Sequence, residues 1–264
     1  MTGPLDESSL RGGLEGARIG RRIILLDQCD STNSEAGRVV AREGRGCDGW
    51  VIFAERQTAG RGRAGRTWEC PAGAGLLMSA IVSGPGEAGP RIVLAAGMAL
   101  CRAVRQTTET EPHLRWPNDV YLGGRKLAGV LVETTATSGP EQMYVVGMGV
   151  NCLQQPAHFA DELRERATSL EIESRQPVDR TAVAAAILRE LDRLLPPGGA
   201  ALDETLCGLW RELSGDAGRR IELRVGERTF QGTVCEIDPA AGLLVELDGG
   251  GRAAFDPFTA VRVR

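Results

Sequence analysis

The chain has 264 residues, a formal net charge of −4, 42% apolar residues and 25% charged residues. This composition is typical of a soluble globular protein, and a chain of this length buries a core without disulfide or metal support. The negative charge excludes a generally basic nucleic-acid-binding protein, and no apolar run reaches the ~18 residues of a membrane span. Seven cysteines without CxxC spacing, and an N-terminus without an apolar signal segment, predict a reducing cytoplasmic location.

Strand and helix patterns fill most of the first 213 residues. Residues 1–20 are glycine-rich and mixed in charge, which predicts a flexible tail. A strand is predicted over 21–29, and a helix follows to about residue 43, with Thr32 and Glu35 at the spacing of a capping box. Apolar periodicity then predicts strands at 50–55, 76–83, 113–116 and 143–150, a hairpin around Gly123-Gly124, and helices at 91–105, 179–195 and 201–213.

The pattern changes near residue 214. From Gly218 onward, short stretches of alternating apolar and polar residues are separated by turns rich in Gly and Asp. This spacing predicts a small all-β barrel. The sequence therefore predicts two domains, a mixed α/β domain over 21–213 and an all-β domain over 214–264.

Residues 60–67, GRGRAGRT, follow a predicted strand and imitate two nucleotide-binding motifs. They match G-x-G-x-x-G and nearly match G-x-x-x-x-G-K-[ST], with Arg66 in place of the lysine. Both motifs need a helix to begin inside them, but the following residues, WECPAG, do not continue a helix. We therefore exclude both. Three arginines on a glycine-rich backbone favour a loop that binds a polyphosphate or an acyl phosphate over the alternative, an ordinary solvated basic loop. The loop has little apolar surface, so we expect it to be mobile until such an anion orders it.

A second cluster of polar residues occupies 115–133, RWPNDVYLGGRKLAGVLVE. Lys126 begins an otherwise apolar strand, and a lysine directed inward there requires an anionic partner. Asn118 and Asp119 precede a turn, and taken alone they also fit ordinary turn chemistry.

Four segments together resemble the biotin protein ligases: DSTN at 30–33, QTAGRGRAGRTW at 57–68, RWPNDVYLGGRKLAGVLVE at 115–133 and GMGVN at 147–151. The resemblance extends from about residue 21 to 264. It implies an α+β fold with a mixed β-sheet and flanking helices, of the class II synthetase-like type, followed by an SH3-like barrel. The implied activity is ATP- and Mg2+-dependent ligation of biotin to a lysine of a biotin carboxyl carrier protein of a carboxylase, through biotinyl-5′-AMP.

The resemblance also implies roles for individual residues. Arg63 and Lys126 would act in catalysis, Arg63 on the acyl phosphate and Lys126 at the biotin carboxylate and α-phosphate. Residues that would bind biotin are Ser31, Thr32, Asn33, Gln57, Gly60, Arg61, Gly62, Arg63, Lys126, Gly129 and Gly147. Residues that would bind ATP or the adenylate are Arg63, Arg66, Trp68, Asn118, Asp119, Asn151 and Trp210, with Asp119 also at the metal. Trp210 fits a plug between the domains equally well.

The chain departs from the family pattern in two places. Arg115 stands where the family often has Lys before WPND, and only about 20 residues precede the predicted catalytic domain, where bifunctional members carry a DNA-binding domain. We therefore expect a monomeric or homodimeric ligase that binds neither DNA nor membranes. The alternatives are a lipoate–protein ligase of the same architecture, which the polar cluster at 31–33 with Gln57 disfavours, a biotin-sensing regulator, and a non-catalytic biotin- or carrier-binding protein.

Overall fold

The computed structural model describes residues 3–135, 141–197 and 203–263. In these ranges the chain forms two sheets, with seven and five strands. The larger sheet has the order β1-β2-β3-β7-β6-β5-β4. Its strands are β1 (Arg22–Cys29), β2 (Trp50–Gln57), β3 (Gly75–Pro85), β4 (His113–Arg115), β5 (Asp119–Leu122), β6 (Arg125–Thr135) and β7 (Glu141–Asn151).

The larger sheet is mixed and carries helices on both faces. β1 and β2 are parallel, whereas the remaining pairs are antiparallel. Because side chains alternate along a strand, Val51 and Phe53 pack with the cluster of α3 and α5, and Ile52 packs with the cluster of α2. The helices are α1 (Glu7–Arg11), α2 (Thr32–Glu43), α3 (Gly89–Thr108), α4 (Leu170–Ser174), α5 (Arg180–Leu194) and α6 (Asp203–Leu213). The predicted mixed α+β fold is confirmed.

The predicted change to short strands is also confirmed. The second sheet is antiparallel with the order β11-β10-β9-β8-β12. Its strands are β8 (Arg220–Val225), β9 (Arg228–Asp238), β10 (Gly242–Leu247), β11 (Arg252–Phe255) and β12 (Ala260–Arg262). The Phe230 and Phe255 rings meet edge to face, with centroids 5.2 Å apart. α6 packs against β9 and thus joins the two sheets.

Two local predictions about helix α2 and helix α5 have different outcomes. Asp179 caps α5 as expected, because its side chain accepts a hydrogen bond from the backbone N of Thr181 at 2.8 Å. The capping box of α2 is wrong, because Ser31 is the N-cap residue and makes no side-chain capping bond. Thr32 instead directs its hydroxyl toward Gln57 at 3.0 Å.

The flexible tail predicted for 1–20 is wrong for residues 3–20. Leu10 in α1 and Ile19 are fully buried, and α1 packs against α5. The segment is also tied down at its start, since the Leu5 backbone N donates to Glu55 Oε1 at 2.9 Å. Widely spaced leucines supply the apolar contacts that the glycine-rich composition obscured. Residues 1–2, and the first two residues of the helix predicted at 201–213, lie outside the described residues.

Three of the cysteines, Cys47, Cys101 and Cys152, are buried, and the other four are partly buried. All seven cysteines are unpaired. Burial raises the pKa of Cys70 to about 11 and that of Cys152 to about 12, so both thiols stay protonated near neutral pH. In the described parts of the chain, every helix is too short or too polar to span a bilayer.

Leu10→Ala tests the packing of the N-terminal segment. We expect it to lower the free energy of unfolding by about 2–5 kcal/mol, because a fully buried leucine leaves a cavity. The control is Leu163→Ala, which truncates a leucine that is 44% exposed and should change stability by about 0.5 kcal/mol or less. Urea denaturation followed by circular dichroism measures both, and equal stability of the two variants would contradict the packing.

Candidate active site

A cavity of about 470 Å³ opens where the start of α2, the ends of β2 and β3, the middle of β6 and β7, and β12 come together. This volume suits a small organic ligand. The predicted site residues that line it are Ser31, Thr32, Asn33, Gln57, Arg61, Gly62, Arg63, Arg66, Trp68, Asn118, Asp119, Lys126, Gly129 and Gly147. Motifs more than 100 residues apart in the sequence therefore meet in one place.

One end of the cavity is uncharged and polar. Gln57 Oε1 accepts hydrogen bonds from the Thr32 backbone N at 2.7 Å and from Thr32 Oγ1 at 3.0 Å. The buried Ser79 hydroxyl lies 2.8 Å from Thr32 Oγ1 and 2.6 Å from Asn33 Oδ1. These bonds fix the side chains at the start of α2, so their amide and hydroxyl groups are preorganised for a neutral polar ligand group.

Gly147 leaves the space in which Asn33 sits. A Cβ atom at residue 147 would lie 2.0 Å from Asn33 Oδ1, which is closer than any non-bonded contact allows. Asn33 Nδ2 donates to Glu133 Oε2 at 2.8 Å, and the same carboxylate oxygen accepts from Arg61 Nη2 at 2.8 Å. Glu133 therefore links the polar end of the cavity to the arginine loop, residues 60–66.

The arginine loop is a compact turn, so the expectation that nothing holds it without an anion is wrong. The Gly62 backbone N donates to the Arg66 carbonyl at 2.7 Å, and the Trp68 backbone N donates to the Gly60 carbonyl at 3.0 Å. Ala64 has a positive φ of 53°, which closes the turn. Backbone hydrogen bonds and the contacts of its arginines thus replace the apolar packing that the loop lacks.

Arg63 is clamped between two distant parts of the chain. Its Nη1 donates to Asn118 Oδ1 at 3.2 Å, and its Nη2 donates to the Ala260 carbonyl at 3.1 Å. Burial lowers the pKa of the Arg63 guanidinium, against the raising effect of the Asp119 charge. The group stays charged, because an arginine pKa is far above neutrality. A half-buried cation held by neutral oxygens is well suited to meet an anionic ligand.

Lys126 faces Asp119 across the cavity wall, with Nζ 2.7 Å from Asp119 Oδ1. This is the anionic partner that an inward lysine requires. Nζ also lies 5.8 Å from the Trp68 ring centroid, near the range of a cation–π contact. Gly129 lies beside the pair, and a Cβ there would be 3.4 Å from Nζ. Lys126 is the only lysine among the 264 residues.

The structure does not bring three of the predicted residues to the cavity. Gly60, the first residue of the arginine loop, lines a neighbouring groove instead. Asn151 is buried, with Nδ2 donating to the Thr168 carbonyl at 2.9 Å and Oδ1 accepting from Gln154. Trp210, in α6, is 1% exposed and packs in the hydrophobic core. This position agrees with a plug between the domains and not with a wall of the cavity. The apolar spacing of α6 turns Trp210 inward.

Other lining residues were not predicted. Gly149 permits the approach of Trp68, since a Cβ there would lie 2.4 Å from Trp68 Cε2. Its two-residue spacing from Gly147 in GMGVN was a usable signal, because both then face the same side of β7. Arg166 and Arg262 also line the cavity. Neither stands in a motif, and only the fold brings them there.

The lining is strongly cationic away from its polar end. It contains Asp119 as its one carboxylate among the described residues, and seven cations: Arg61, Arg63, Arg66, Arg115, Lys126, Arg166 and Arg262. The Arg115 guanidinium stacks 4.7 Å from the Tyr121 ring centroid, where a lysine would offer no planar face. The cavity can thus hold a ligand that is neutral and polar at one end and multiply anionic at the other.

Comparison with known proteins agrees with this geometry. A model of the biotin/lipoate A/B protein ligase family matches residues 30–151. The biotin--[acetyl-CoA-carboxylase] ligase of Mycobacterium tuberculosis is 36% identical over 259 residues, covering 94% of this chain and 92% of the relative. The bifunctional ligase/repressor BirA of Bacillus subtilis is 30% identical over 250 residues, covering 94% and 76%.

A solved structure has the same fold. The biotin protein ligase of Aquifex aeolicus in complex with biotin and ATP gives a TM-score of 0.76 at 28% identity, over 92% of this chain and 99% of that one. The four motif segments that line the cavity fall within the residues of the family match, whereas Arg166 and β12, which also line it, lie outside them. This chain therefore belongs to the biotin protein ligase family.

Proposed function

We propose that this chain activates biotin with ATP and transfers the biotinyl group to a lysine of a carrier protein. One observation carries the proposal: a single cavity joins a fixed, uncharged polar end to an end lined by cations. Biotin has a neutral ureido head and an acidic tail, and ATP brings the phosphates. The two ends of the cavity match this distribution of charge.

The first step is the attack of a biotin carboxylate oxygen on the α-phosphorus of ATP. A new O–P bond forms, the bond to the bridging oxygen breaks, and pyrophosphate leaves with the electron pair. In the second step, the neutral amine of the carrier lysine attacks the acyl carbon of biotinyl-5′-AMP. A C–N bond forms, the acyl C–O bond breaks, AMP leaves with the electron pair, and the nitrogen loses a proton to the solvent. Neither step needs a nucleophilic side chain, so positioning and the stabilisation of phosphate charge supply the catalysis.

Arg63 and Lys126 are the cations that we assign to this task. Arg63 would stabilise the acyl phosphate, and Lys126 would orient the biotin carboxylate toward the α-phosphate. Support comes from their place on the cavity wall, from the half-buried position of Arg63 and from the Lys126–Asp119 pair. Arg66, Trp68 and Asn118 would complete the nucleotide end.

The polar end would hold the ureido head. Thr32, Asn33 and Gln57 offer both donors and acceptors, and a ureido group needs partners for its carbonyl oxygen and its two N–H groups. Ser31, at the start of the same helix, also lines the cavity. A lipoate dithiolane ring has no such hydrogen-bonding groups, which disfavours lipoate as the substrate.

We expect Mg2+ to bind this site together with ATP, because the phosphates would supply most of its ligands. The described residues contain no cluster of three His, Cys, Asp or Glu side chains that would hold an ion alone. Mg2+ typically binds one or two carboxylates and the substrate phosphates, and it neutralises phosphate charge. Asp119, beside Lys126 on the wall, is the residue that we assign to the metal.

We also propose the carrier class and the type of the second domain. The ligase of Mycobacterium tuberculosis is named for acetyl-CoA carboxylase, which supports the biotin carboxyl carrier protein of a carboxylase as the acceptor. The five antiparallel strands from Arg220 to Arg262 support an SH3-like fold for the C-terminal domain, which we begin at residue 214.

Biotin-dependent exchange of label between pyrophosphate and ATP tests the activity. We expect exchange with biotin, and little exchange with lipoate or with neither acid, because only biotin satisfies the polar end. Exchange with lipoate at the biotin rate would assign the chain to lipoate ligation instead. Binding of biotin without any exchange would point to a non-catalytic biotin-binding protein.

Lys126→Met should slow biotinyl-AMP formation by about 10²-fold or more, since it removes one preorganised cation. Arg125→Met is the matched control, because Arg125 pairs with Glu173 at 2.7 Å and does not line the cavity. Single-turnover formation of the adenylate measures both variants. Synthetic biotinyl-AMP should restore part of the transfer in Lys126→Met, and adenylate formation at the parent rate would remove the assigned role.

Gly147→Ala should raise the KM for biotin about tenfold or more, because the added methyl group displaces Asn33 and breaks a buried hydrogen bond worth roughly 1–3 kcal/mol. The KM for ATP should change much less. Gly37→Ala, on α2 with open space around its Cβ, is the control that should keep both constants. An equal change in the two KM values would argue against a biotin site at Asn33.

A further inference from the structure

Asp216 is a buried carboxylate outside the recognised motifs. It lies in the connection between α6 and β8 and is 2% exposed. The connection runs along β4, where the Gly215 backbone N donates to the Leu114 carbonyl at 2.9 Å. Asp216 therefore stands at the junction of the two sheets.

The two carboxylate oxygens of Asp216 bind two separate parts of the chain. Oδ2 accepts a hydrogen bond from the Trp116 backbone N at 2.8 Å, and Oδ1 accepts from Arg262 Nη1 at 2.6 Å. Hydrogen bonds to an ionised group are the stronger kind, and a buried carboxylate is costly without them. Loss of the charge would also leave the Arg262 cation, whose side chain is 17% exposed, without this partner.

Both partners of Asp216, Trp116 and Arg262, line the cavity. Trp116 begins the turn that presents Asn118 and Asp119, and Arg262 ends strand β12, whose residues 261 and 262 line the cavity. Arg63 spans the same two elements, since it donates to Asn118 Oδ1 and to the Ala260 carbonyl. The separation of the turn from β12 therefore decides whether both bonds to Arg63 form.

We propose that Asp216 is a positioning residue for the adenylation step. Through its ion pair with Arg262 it holds β12 against the turn at 116–119, and this spacing orients Arg63 at the nucleotide end of the cavity. Asp216 does not line the cavity itself, so it acts through Arg63. The inference rests on the proposed function. It adds that the position of the C-terminal sheet affects the reaction with ATP.

Asp216→Asn separates the charge of Asp216 from its shape. The amide oxygen still accepts from the Trp116 backbone N, while the ion pair with Arg262 is lost. We expect kcat/KM for ATP in pyrophosphate exchange to fall about tenfold or more, the effect of ~1.4 kcal/mol, while the KM for biotin stays within about twofold. Glu236→Gln is the control, because it breaks an exposed ion pair with Arg211 that joins α6 to the C-terminal sheet away from the cavity.

A double-mutant cycle with Arg63→Ala distinguishes positioning from a general loss of stability. If Asp216 acts through Arg63, Asp216→Asn should cost less than about twofold in the Arg63→Ala background. Additive losses would overturn the inference, and so would ATP kinetics of Asp216→Asn equal to those of the parent.

Three further measurements keep the test decisive. Arg262→Gln breaks the same ion pair from the side of the cavity. It replaces Asp216→Asn in the test if the melting temperature of Asp216→Asn is too low for the assay. An unchanged kcat/KM for ATP in Arg262→Gln would overturn the inference. Exchange by the parent protein is measured first and tests the proposed function alone. Calorimetric titration with ATP measures the affinity of Asp216→Asn for ATP without turnover. We expect this affinity to be lower than that of the parent, and an unchanged affinity would argue against the proposed role of Asp216.

Discussion

The site depends on holding several positive charges close together in a partly buried cavity. Like charges repel, and burial makes each of them costly, so every cation needs an anchor that does not cancel its charge fully. Arg63 has two neutral oxygens, from Asn118 and Ala260, while Lys126 has Asp119 and Arg61 has Glu133. The surrounding structure serves largely to present these anchors. A cavity prepared in this way meets an anionic transition state with little reorganisation.

Close approach of backbones and side chains is the second requirement of the site. β7 lies in the middle of the larger sheet, between β3 and β6, and two of its glycines face the cavity side. Gly147 admits Asn33 and Gly149 admits the Trp68 indole. Any larger residue would displace Asn33 at the polar end of the cavity or the Trp68 indole. The two glycines of β7, which have no side chains, therefore help to determine the shape of the cavity.

Much of the fold could be predicted because local patterns and tertiary packing agree. α3 and α5 have apolar periodicity, Asp179 caps α5, and the Gly123-Gly124 turn has the positive φ angles that glycine permits. Predictions failed where a long-range contact overrode a local pattern. The local pattern predicts that Thr32 caps α2, but Gln57, 25 residues away, binds its hydroxyl. The glycine-rich composition predicts a tail before residue 20, although Leu10 in that segment is fully buried.

The same limit applies to the site. The glycine- and arginine-rich motif and the RWPND segment could be recognised because their residues are contiguous in sequence. Asp216, Arg166 and Arg262 could not, because only the folded chain brings them to the cavity or to its supports. For Trp210 the sequence leaves a nucleotide contact and a plug between the domains equally open, and only the folded chain shows that its indole is buried in the core.

The solitary lysine has a chemical consequence for a protein that handles an activated acyl group. Arginine remains protonated and is a poor acyl acceptor near neutral pH, so the thirty arginines that accompany Lys126 can bind phosphates without being acylated. Nζ of Lys126 lies 2.7 Å from Asp119 Oδ1 in an ion pair, and the nitrogen of an ion-paired ammonium has no electron pair for attack on a mixed anhydride. In the reaction that we propose, this pairing would leave the amine of the incoming carrier as the free nucleophile.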